Sequence, residues 1–349
     1  MTGLGGAASG GSPKERACGA APLEPGVKMG TPGMPATDDA SWRPTATFAT
    51  LRRRAELVAS TRAFFAARGV LEVDVPVLQG GANLDHGVVP YRIETERGAR
   101  FLPTSPEHPL KRLVCAGSGP VWTLAPAFRR GELGSRHQPE FRMLEWYRPG
   151  WDDLRLRDET VALLANLSGW PTECETLTYR DALIRHAGVD PFAADPAAVL
   201  VALADAADAV ADDPHAALDL LLATRVEPHL GRGRWTALTD YPPWASAQAR
   251  LRLDGAGRPV AARFEIYRDG IELANGYHEL RDAAELGDRL AAELAAREPG
   301  VVRDTRFEAA IAHGLGDCAG VAIGFDRVVM LALGLKTVGE TQAFETDRA

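Results

Sequence analysis

Phe128-Arg129-Arg130-Gly131-Glu132, a polar loop, and then Pro139-Glu140-Phe141-Arg142-Met143-Leu144-Glu145-Trp146-Tyr147 form the stretch on which the fold turns. After the proline the residues alternate as a strand does. Phe141, Met143, Glu145 and Tyr147 point to one face, which therefore carries an aromatic plane, a carboxylate and a phenol. By itself this is equally a half-buried strand with Glu145 solvated or paired, because an unpaired buried carboxylate is costly.

Two later segments share its character. Phe264 to Tyr277 reads as a hairpin turning at Asp269-Gly270. On its second arm Asn275 and Glu279 share strand parity and Glu272 has the other, while the small residues between them allow a bulge that re-aims a side chain. An exposed hairpin with surface acids is the plain alternative, and His278 is given no role. In Gly320-Val321-Ala322-Ile323-Gly324-Phe325-Asp326-Arg327 a β-rich run stops at Gly324 and a helix begins. Arg327 then sits in the first turn, where a cation opposes the helix macrodipole. A bound anion would explain it, and so would a structural salt bridge.

Further out, Leu51, Ala55, Val58 and Phe65 fall at helical spacing ahead of Gly69. Leu71 to Val77 alternates as a strand, with Pro76 restricting it to an edge or an interface. The Ala- and Leu-rich stretch from about 180 to 235 reads as two helices, broken at Asp212-Asp213-Pro214 with the proline placed to start the second. Leu286, Leu290 and Leu294 mark another helix. Alternating strands, a hairpin and helices in blocks predict an α+β fold with an antiparallel sheet flanked by helices. Neither G-x-G-x-x-G nor G-x-x-x-x-G-K-[ST] occurs, so neither a Rossmann nor a P-loop nucleotide site is expected.

At 349 residues, 46% hydrophobic and 25% charged, the chain has ordinary globular composition. No apolar run approaches the roughly 20 residues of a membrane span. The net charge of -8 offers no general attraction to nucleic acid phosphates, which makes tRNA binding an unlikely expectation. Cys18, Cys115, Cys174 and Cys318 are scattered, which suggests neither a zinc site nor a disulfide framework and fits a reducing cytoplasm. Residues 1–40 are rich in Gly, Ala, Pro and Ser, lack the apolar core of a signal peptide and are expected to be a disordered tail.

Together and in this order, the segments resemble the class II aminoacyl-tRNA synthetases, and within them the lysyl branch. Phe128 to Tyr147 resembles motif 2, Gly320 to Met330 motif 3, and Gly69 to Leu78, with Pro76, the dimer-forming motif 1. Thr104-Ser105-Pro106-Glu107 followed by Leu110-Lys111-Arg112-Leu113 is similar to the branch's amino-acid-binding loop. Ala40-Ser41-Trp42, Leu144-Glu145-Trp146-Tyr147-Arg148-Pro149 and Phe344 to Ala349 resemble a truncated group of paralogues that attach (R)-β-lysine to a lysine of elongation factor P. The likeness spans about residues 40 to 349, with residues 41–349 read as one catalytic domain carrying the helical insertion.

The resemblance implies ATP and Mg2+ as cofactors and a homodimer. Arg129, Arg327 and Glu272 would be catalytic. Arg129 would bridge the substrate carboxylate and the ATP α-phosphate, Phe141 would stack on adenine, and Arg327 would meet the γ-phosphate. Arg130, Gly131, Glu132, His137, Gln138, Leu273 and Gly324 would complete the ATP site. Glu272 and Glu279 would hold the metal. Ser105, Pro106, Asn275 and Ala322 would line the amino-acid site, with Glu107 at the amine near the carboxylate and Glu145, Tyr147 and Glu279 around the side-chain ammonium. Forming an adenylate needs positioning and charge neutralisation rather than a protein nucleophile, in keeping with a sequence that offers no convincing Ser-His-Asp or Cys-His set.

The chain departs from the family pattern in three places. The motif 2 acid is displaced by one in Arg130-Gly131-Glu132, Gln138 stands where asparagine is usual, and Tyr241 to Ser246 is altered. Only the low-complexity tail precedes Ser41, in place of an anticodon-binding barrel, and Ala322 stands where lysyl-tRNA synthetases have glycine. One methyl shifts a pocket's preference by roughly 1–3 kcal/mol. Both features favour a protein acceptor, elongation factor P, over tRNA. A lysine-activating paralogue serving tRNA or another carrier, and a non-catalytic regulator, are the alternatives; Arg129, Glu272, Glu279 and Arg327 argue against the regulator.

Overall fold

The computed structural model describes residues 42–193, 196–203, 210 and 213–349. The tail of residues 1–40 and Asp212 lie outside that range. Thr47 caps α1 (Phe48–Ala66) by accepting from the Thr50 amide at 3.1 Å, and the helix buries Leu57, Phe64 and Phe65. Gly69, at φ 64°, turns the chain out of it. There follow β1 (Leu71–Glu72), β2 (Arg92–Thr95), β3 (Gly98–Phe101), α2 (Glu107–Cys115), β4 (Val121–Phe128), β5 (Glu140–Pro149) and α3 (Asp153–Ser168). The middle of the chain holds β6 (Cys174–Thr178), α4 (Tyr179–Ala187), α5 (Pro196–Leu203), α6 (Pro214–Leu221), β7 (Trp235–Tyr241) and β8 (Leu251–Leu253). The last part comprises β9 (Pro259–Arg268), β10 (Ile271–His278), α7 (Ala283–Ala295), α8 (Thr305–Gly314), β11 (Cys318–Gly324) and α9 (Phe325–Ala332).

The main sheet runs β1-β4-β5-β11-β10-β9-β7-β6, with β8 against β9. From β4 to β7 every pairing is antiparallel, as expected, whereas β1 on β4 and β6 on β7 are parallel, so the sheet is mixed at its edges. The strand expected over Leu71–Val77 shortens to β1, beyond which the Val73 amide still donates to the Trp122 carbonyl at 2.9 Å while Pro76 has none to give. The hairpin forms as read: Asp269 and Gly270 take φ 51° and 73°, the pair of positive values that a tight two-residue turn requires.

Strand parity sorts β5 into two faces. Leu144 and Trp146 enter the core with Phe65, Trp122, Leu163, Leu164, Ile266 and Val329. Phe65 stacks on Trp122 at 4.8 Å between ring centroids, and the buried indole of Trp146 donates to Glu159 Oε2 at 3.1 Å. Removing such an indole from a closed core generally costs about 3–5 kcal/mol. The other face of β5 looks into a cleft. Around residues 180–235 the described chain holds three α-helices where two were expected, and a π-type turn, Leu222–Val226, follows them. Asp213 caps α6, with Pro214 in its first turn. This region packs on β7 through a second core that includes Leu177, Tyr179, Leu183, Leu218, Leu221 and Leu238.

Candidate active site

The cleft encloses about 960 Å³. Its floor is the polar face of the sheet: Phe141, Met143, Glu145 and Tyr147 of β5, Glu272, Asn275 and Tyr277 of β10, and Gly320, Ala322 and Gly324 of β11. The register places Ala322 between Glu145 and Asn275. Glu272 reaches the same cavity because the β9–β10 pairing shifts register between Glu272 and Ala274, where a bulge re-aims the strand.

One end is acidic and deeply buried. Ser105 Oγ accepts from the Glu107 amide at 3.0 Å at the start of α2 and donates to Glu145 Oε2 at 2.6 Å. Tyr147 Oη donates to Glu145 Oε1 at 2.8 Å. Burial, and then the nearby Glu107 charge, push the Glu145 carboxyl up to about 8. Beneath it lies Lys111, 1% exposed. Its ammonium donates to Glu107 Oε1 at 2.5 Å and to Gln248 Oε1 at 3.1 Å. It stands 2.6 Å from Glu279 Oε2, an ion pair rather than an aligned hydrogen bond. Burial opposes the Lys111 charge, but Glu107 and then Glu279 outweigh it and the pKa lies above that of an ordinary lysine. The Glu279 carboxyl is pushed up to about 7 by burial, with Lys111 opposing. The second Glu107 oxygen is taken by Gln248 Nε2 at 2.9 Å. Both oxygens of Glu107 and both of Glu145 are thus engaged within the protein, and Glu279 keeps unspent acceptor capacity. Glu107 and Glu279 share one ammonium with Glu145 as a third acid beside them, a chamber that a ligand ammonium would balance.

The other end is cationic. The Arg129 guanidinium lies 5.2 Å from the Phe141 ring centroid and 3.7 Å from Glu132. Arg327, from the first turn of α9, donates to the Glu272 carbonyl at 2.9 Å and to His137 Nε2 at 2.6 Å, and its guanidinium lies 3.5 Å from the Glu272 carboxylate. Burial first, then Arg327, lowers the His137 pKa, so its imidazole stays neutral and accepts. Arg136 joins this wall. Guanidiniums around an aromatic plane suit a polyphosphate with a stacked base.

Of the expected ATP residues, Glu132, His137, Gln138, Phe141, Leu273, Gly324, Arg129, Glu272 and Arg327 line the cleft. Arg130 turns away instead, to Glu298 at 2.7 Å, and Gly131 and Pro106 contribute nothing to the wall. The metal pair needs correcting. Glu279 is held by Lys111 at the acidic end, and strand rise puts it roughly 20 Å along β10 from Glu272, too far to share an ion. The carboxylate that adjoins Glu272 is Glu265 on β9, which accepts from Arg263 at 2.5 Å and from Tyr267 Oη at 2.5 Å. Burial, and next the Glu265 charge, raise the Glu272 pKa. Two crowded carboxylates with hard oxygens fit a magnesium ion, which would relieve that repulsion. Among the described residues no group of three or more His, Cys, Asp or Glu forms a metal cluster.

Sequence reading gave no role to Gln248, Glu265 or Arg263, and named Lys111 only as part of the amino-acid-binding loop. Lys111 was within reach, because Glu107 precedes it by one helical turn. Arg263 was not: it joins Asn275 Oδ1 at 3.2 Å to the Ala245 carbonyl at 2.7 Å, partners distant in sequence. His278 is structural, bonded to Asp317 at 3.0 Å.

Comparison with known proteins agrees with this geometry. Residues 40–348 match the family described as tRNA synthetases class II (D, K and N). The chain is similar to the elongation factor P–(R)-beta-lysine ligase of Edwardsiella ictaluri, 41% identical over 331 residues, covering 90% of this chain and 100% of that one. It is 40% identical over 328 residues to the protein of that name from Yersinia enterocolitica, again at 90% and 100% coverage. The corresponding Klebsiella pneumoniae protein is 41% identical over 331 residues, with the same coverage.

Proposed function

Because the chain belongs to the class II tRNA synthetase family (D, K and N), we propose that it is an ATP-dependent ligase that activates (R)-β-lysine as an adenylate and passes it to a lysine side chain of elongation factor P. The observation that carries this reading is one cleft with an ammonium-hungry chamber at one end and a guanidinium-lined aromatic shelf at the other. A substrate with a cationic tail and a carboxylate spans the two. The names of the relatives support the acceptor, and the Ala322 methyl between Glu145 and Asn275 supports the preference for an amine one carbon further along.

In the first step the substrate carboxylate attacks the α-phosphorus of ATP and pyrophosphate leaves. Arg129 neutralises the carboxylate and α-phosphate as they meet, Asn275, held by Arg263, orients the carboxylate, and Arg327 and His137 take the outgoing phosphates. For Arg327 this means exchanging Glu272 for phosphate. A magnesium ion held by Glu265 and Glu272 would supply further neutralisation of phosphate charge when bound. In the second step an amine attacks the acyl carbon and AMP leaves.

The test is ATP–pyrophosphate exchange with a panel of amino acids, followed by incubation with elongation factor P or lysine tRNA and measurement of the mass of each acceptor. Exchange with β-lysine and a mass gain on the factor are expected. Exchange with tRNA charging alone would reject the acceptor, and no exchange with any lysine isomer would reject the enzyme. The same reading includes a homodimer, supported by Leu71 and Leu78, which remain exposed on either side of Pro76. Light scattering at micromolar concentration should give twice the chain mass, and a monomer mass would refute it. Among the described residues no helix is long and apolar enough to cross a membrane, and we place the enzyme in the cytoplasm with the translation machinery.

A further inference from the structure

β-Lysine brings two ammoniums into the cleft, and the acidic end has open capacity for only one. Glu107 and Glu145 are engaged on both oxygens, which leaves Glu279 alone with acceptor capacity to spare. A second ammonium taken from water needs a second acceptor. Asp85 lies on the wall of the same cavity, where Glu107 and Arg129 both act on its charge. Its side chain accepts one hydrogen bond among the described residues, from the Thr104 hydroxyl to Oδ2 at 3.4 Å, and no ion pair among those residues involves it. Thr104 is fully buried, and its carbonyl accepts from Arg129 Nε at 3.4 Å. One residue therefore stands between Asp85 and the guanidinium that would meet the substrate carboxylate.

The loop that carries Asp85 is pinned along its length. The Ala82 amide donates to the Val302 carbonyl at 2.9 Å, and a Cβ on Gly81 would come 2.5 Å from the Asp304 backbone, so the chain lies flush against the start of α8. The Arg297 guanidinium donates to the carbonyls of Asp85 and Val88. The Arg130 amide donates to the Val89 carbonyl at 2.9 Å, which ties the loop to the stretch bearing Arg129. The charges facing Asp85 are Glu107, Arg129, His108 and Lys111. Burial first, and then Glu107, raise its pKa, with Arg129, His108 and Lys111 opposing. Arg129 itself is drawn to Glu132, at 3.7 Å. Asp85 is thus a fixed carboxylate beside the reacting centre, without a cation of its own.

We infer that Asp85 receives the ammonium nearest the substrate's reacting carboxylate, the place that family likeness gives to Glu107, and that Glu107 serves instead to fix Lys111. The inference rests on the function proposed above and names a specificity residue for it. In β-lysine that amine is borne two carbons from the carboxyl carbon. A carboxylate held by Arg129 and Asn275 keeps it at the Arg129 end of the cleft, while the far ammonium enters the Glu145–Glu279 chamber. Asp85 then selects for a diamino acid, because a monoamine of the same length leaves its carboxylate unanswered.

The experiment follows β-lysine-dependent pyrophosphate exchange in the unaltered enzyme, Asp85→Asn and Asp85→Glu. The competing ligand is 6-aminohexanoate, which is β-lysine without the amine in question. In Asp85→Asn the KM for β-lysine should rise about 10–100-fold, the worth of one charged hydrogen bond, and Asp85→Glu should recover most of that loss. The inhibition constant of 6-aminohexanoate and the KM for ATP should rise by less than about twofold. A wild-type β-lysine KM in Asp85→Asn would overturn the inference and return the amine to Glu107. An equal rise for 6-aminohexanoate or for ATP would also overturn it, since Asp85 would then only shape the cleft. Absence of exchange in the unaltered enzyme would instead strike the proposed function, and the inference with it.

Discussion

Glu145 offers the sharpest test of the acidic chamber, because its carboxyl is pushed up from 4.5 to about 8 by burial and by Glu107. In the free enzyme at neutral pH it is therefore mostly protonated. An incoming ammonium selects the ionised form, so binding must expel a proton and affinity must rise with pH until about 8. For one such group the dissociation constant is multiplied by about 100 at pH 6, about 11 at pH 7 and about 2 at pH 8, relative to its high-pH limit. Glu279, at about 7, adds a shallower second step. Stability of the free protein moves the other way. Between 4.5 and about 8 the folded state holds the Glu145 proton more tightly than the unfolded chain, so this carboxyl's contribution to stability is lost as pH rises through that window. The assay is titration calorimetry with (R)-β-lysine at pH 6, 7 and 8 in two buffers of different ionisation enthalpy. At pH 7 about 0.9 proton should be released per ligand from Glu145. Glu145→Gln should bind more weakly at pH 8 and lose the steep part of the pH dependence. A dissociation constant that stays flat from pH 6 to 8, with no proton released at pH 7, would refute the reasoning.

Lys111→Met removes the one ammonium that, among the described residues, pairs with Glu107 and Glu279. It should cost about 3–5 kcal/mol in urea denaturation, as breaking a buried pair does; a loss under about 1 kcal/mol would mean that the chamber simply takes up protons. Gly320→Ala should weaken β-lysine binding by about 1–3 kcal/mol while ATP binding persists, because a Cβ there would overlap the Tyr147 ring and lie 2.5 Å from Glu279 Oε1. Unchanged β-lysine affinity by fluorescence titration would show that Tyr147 and Glu279 have slack.

Features that depend on local periodicity were legible in the sequence. Phe141, Met143, Glu145 and Tyr147 share a face because a strand has period two, and Asp269-Gly270 turns because both residues tolerate positive φ. Features that depend on which strand lies beside which were not. Family likeness joined Glu272 to Glu279 against their opposite parity, whereas Glu265, across the hairpin, is its actual neighbour. Gln248 closes the Lys111 site from a segment whose contact with α2 no local pattern encodes. Arg130 leaves the cleft because Glu298, far along the chain, offers it a partner.

The register that sets Ala322 opposite Glu145 also governs how the molecule comes into being. Strands β5 and β11 are sheet neighbours separated by half the chain, so their pairing closes a long loop and comes late in folding. Until then Glu145, Glu279 and Gly320 have no common cavity, and no amino acid can be recognised. A ligand that binds only the finished sheet cannot guide its assembly and acts after the rate-limiting step. Its effect falls on the finished molecule, which the substrate stabilises by binding the folded state alone.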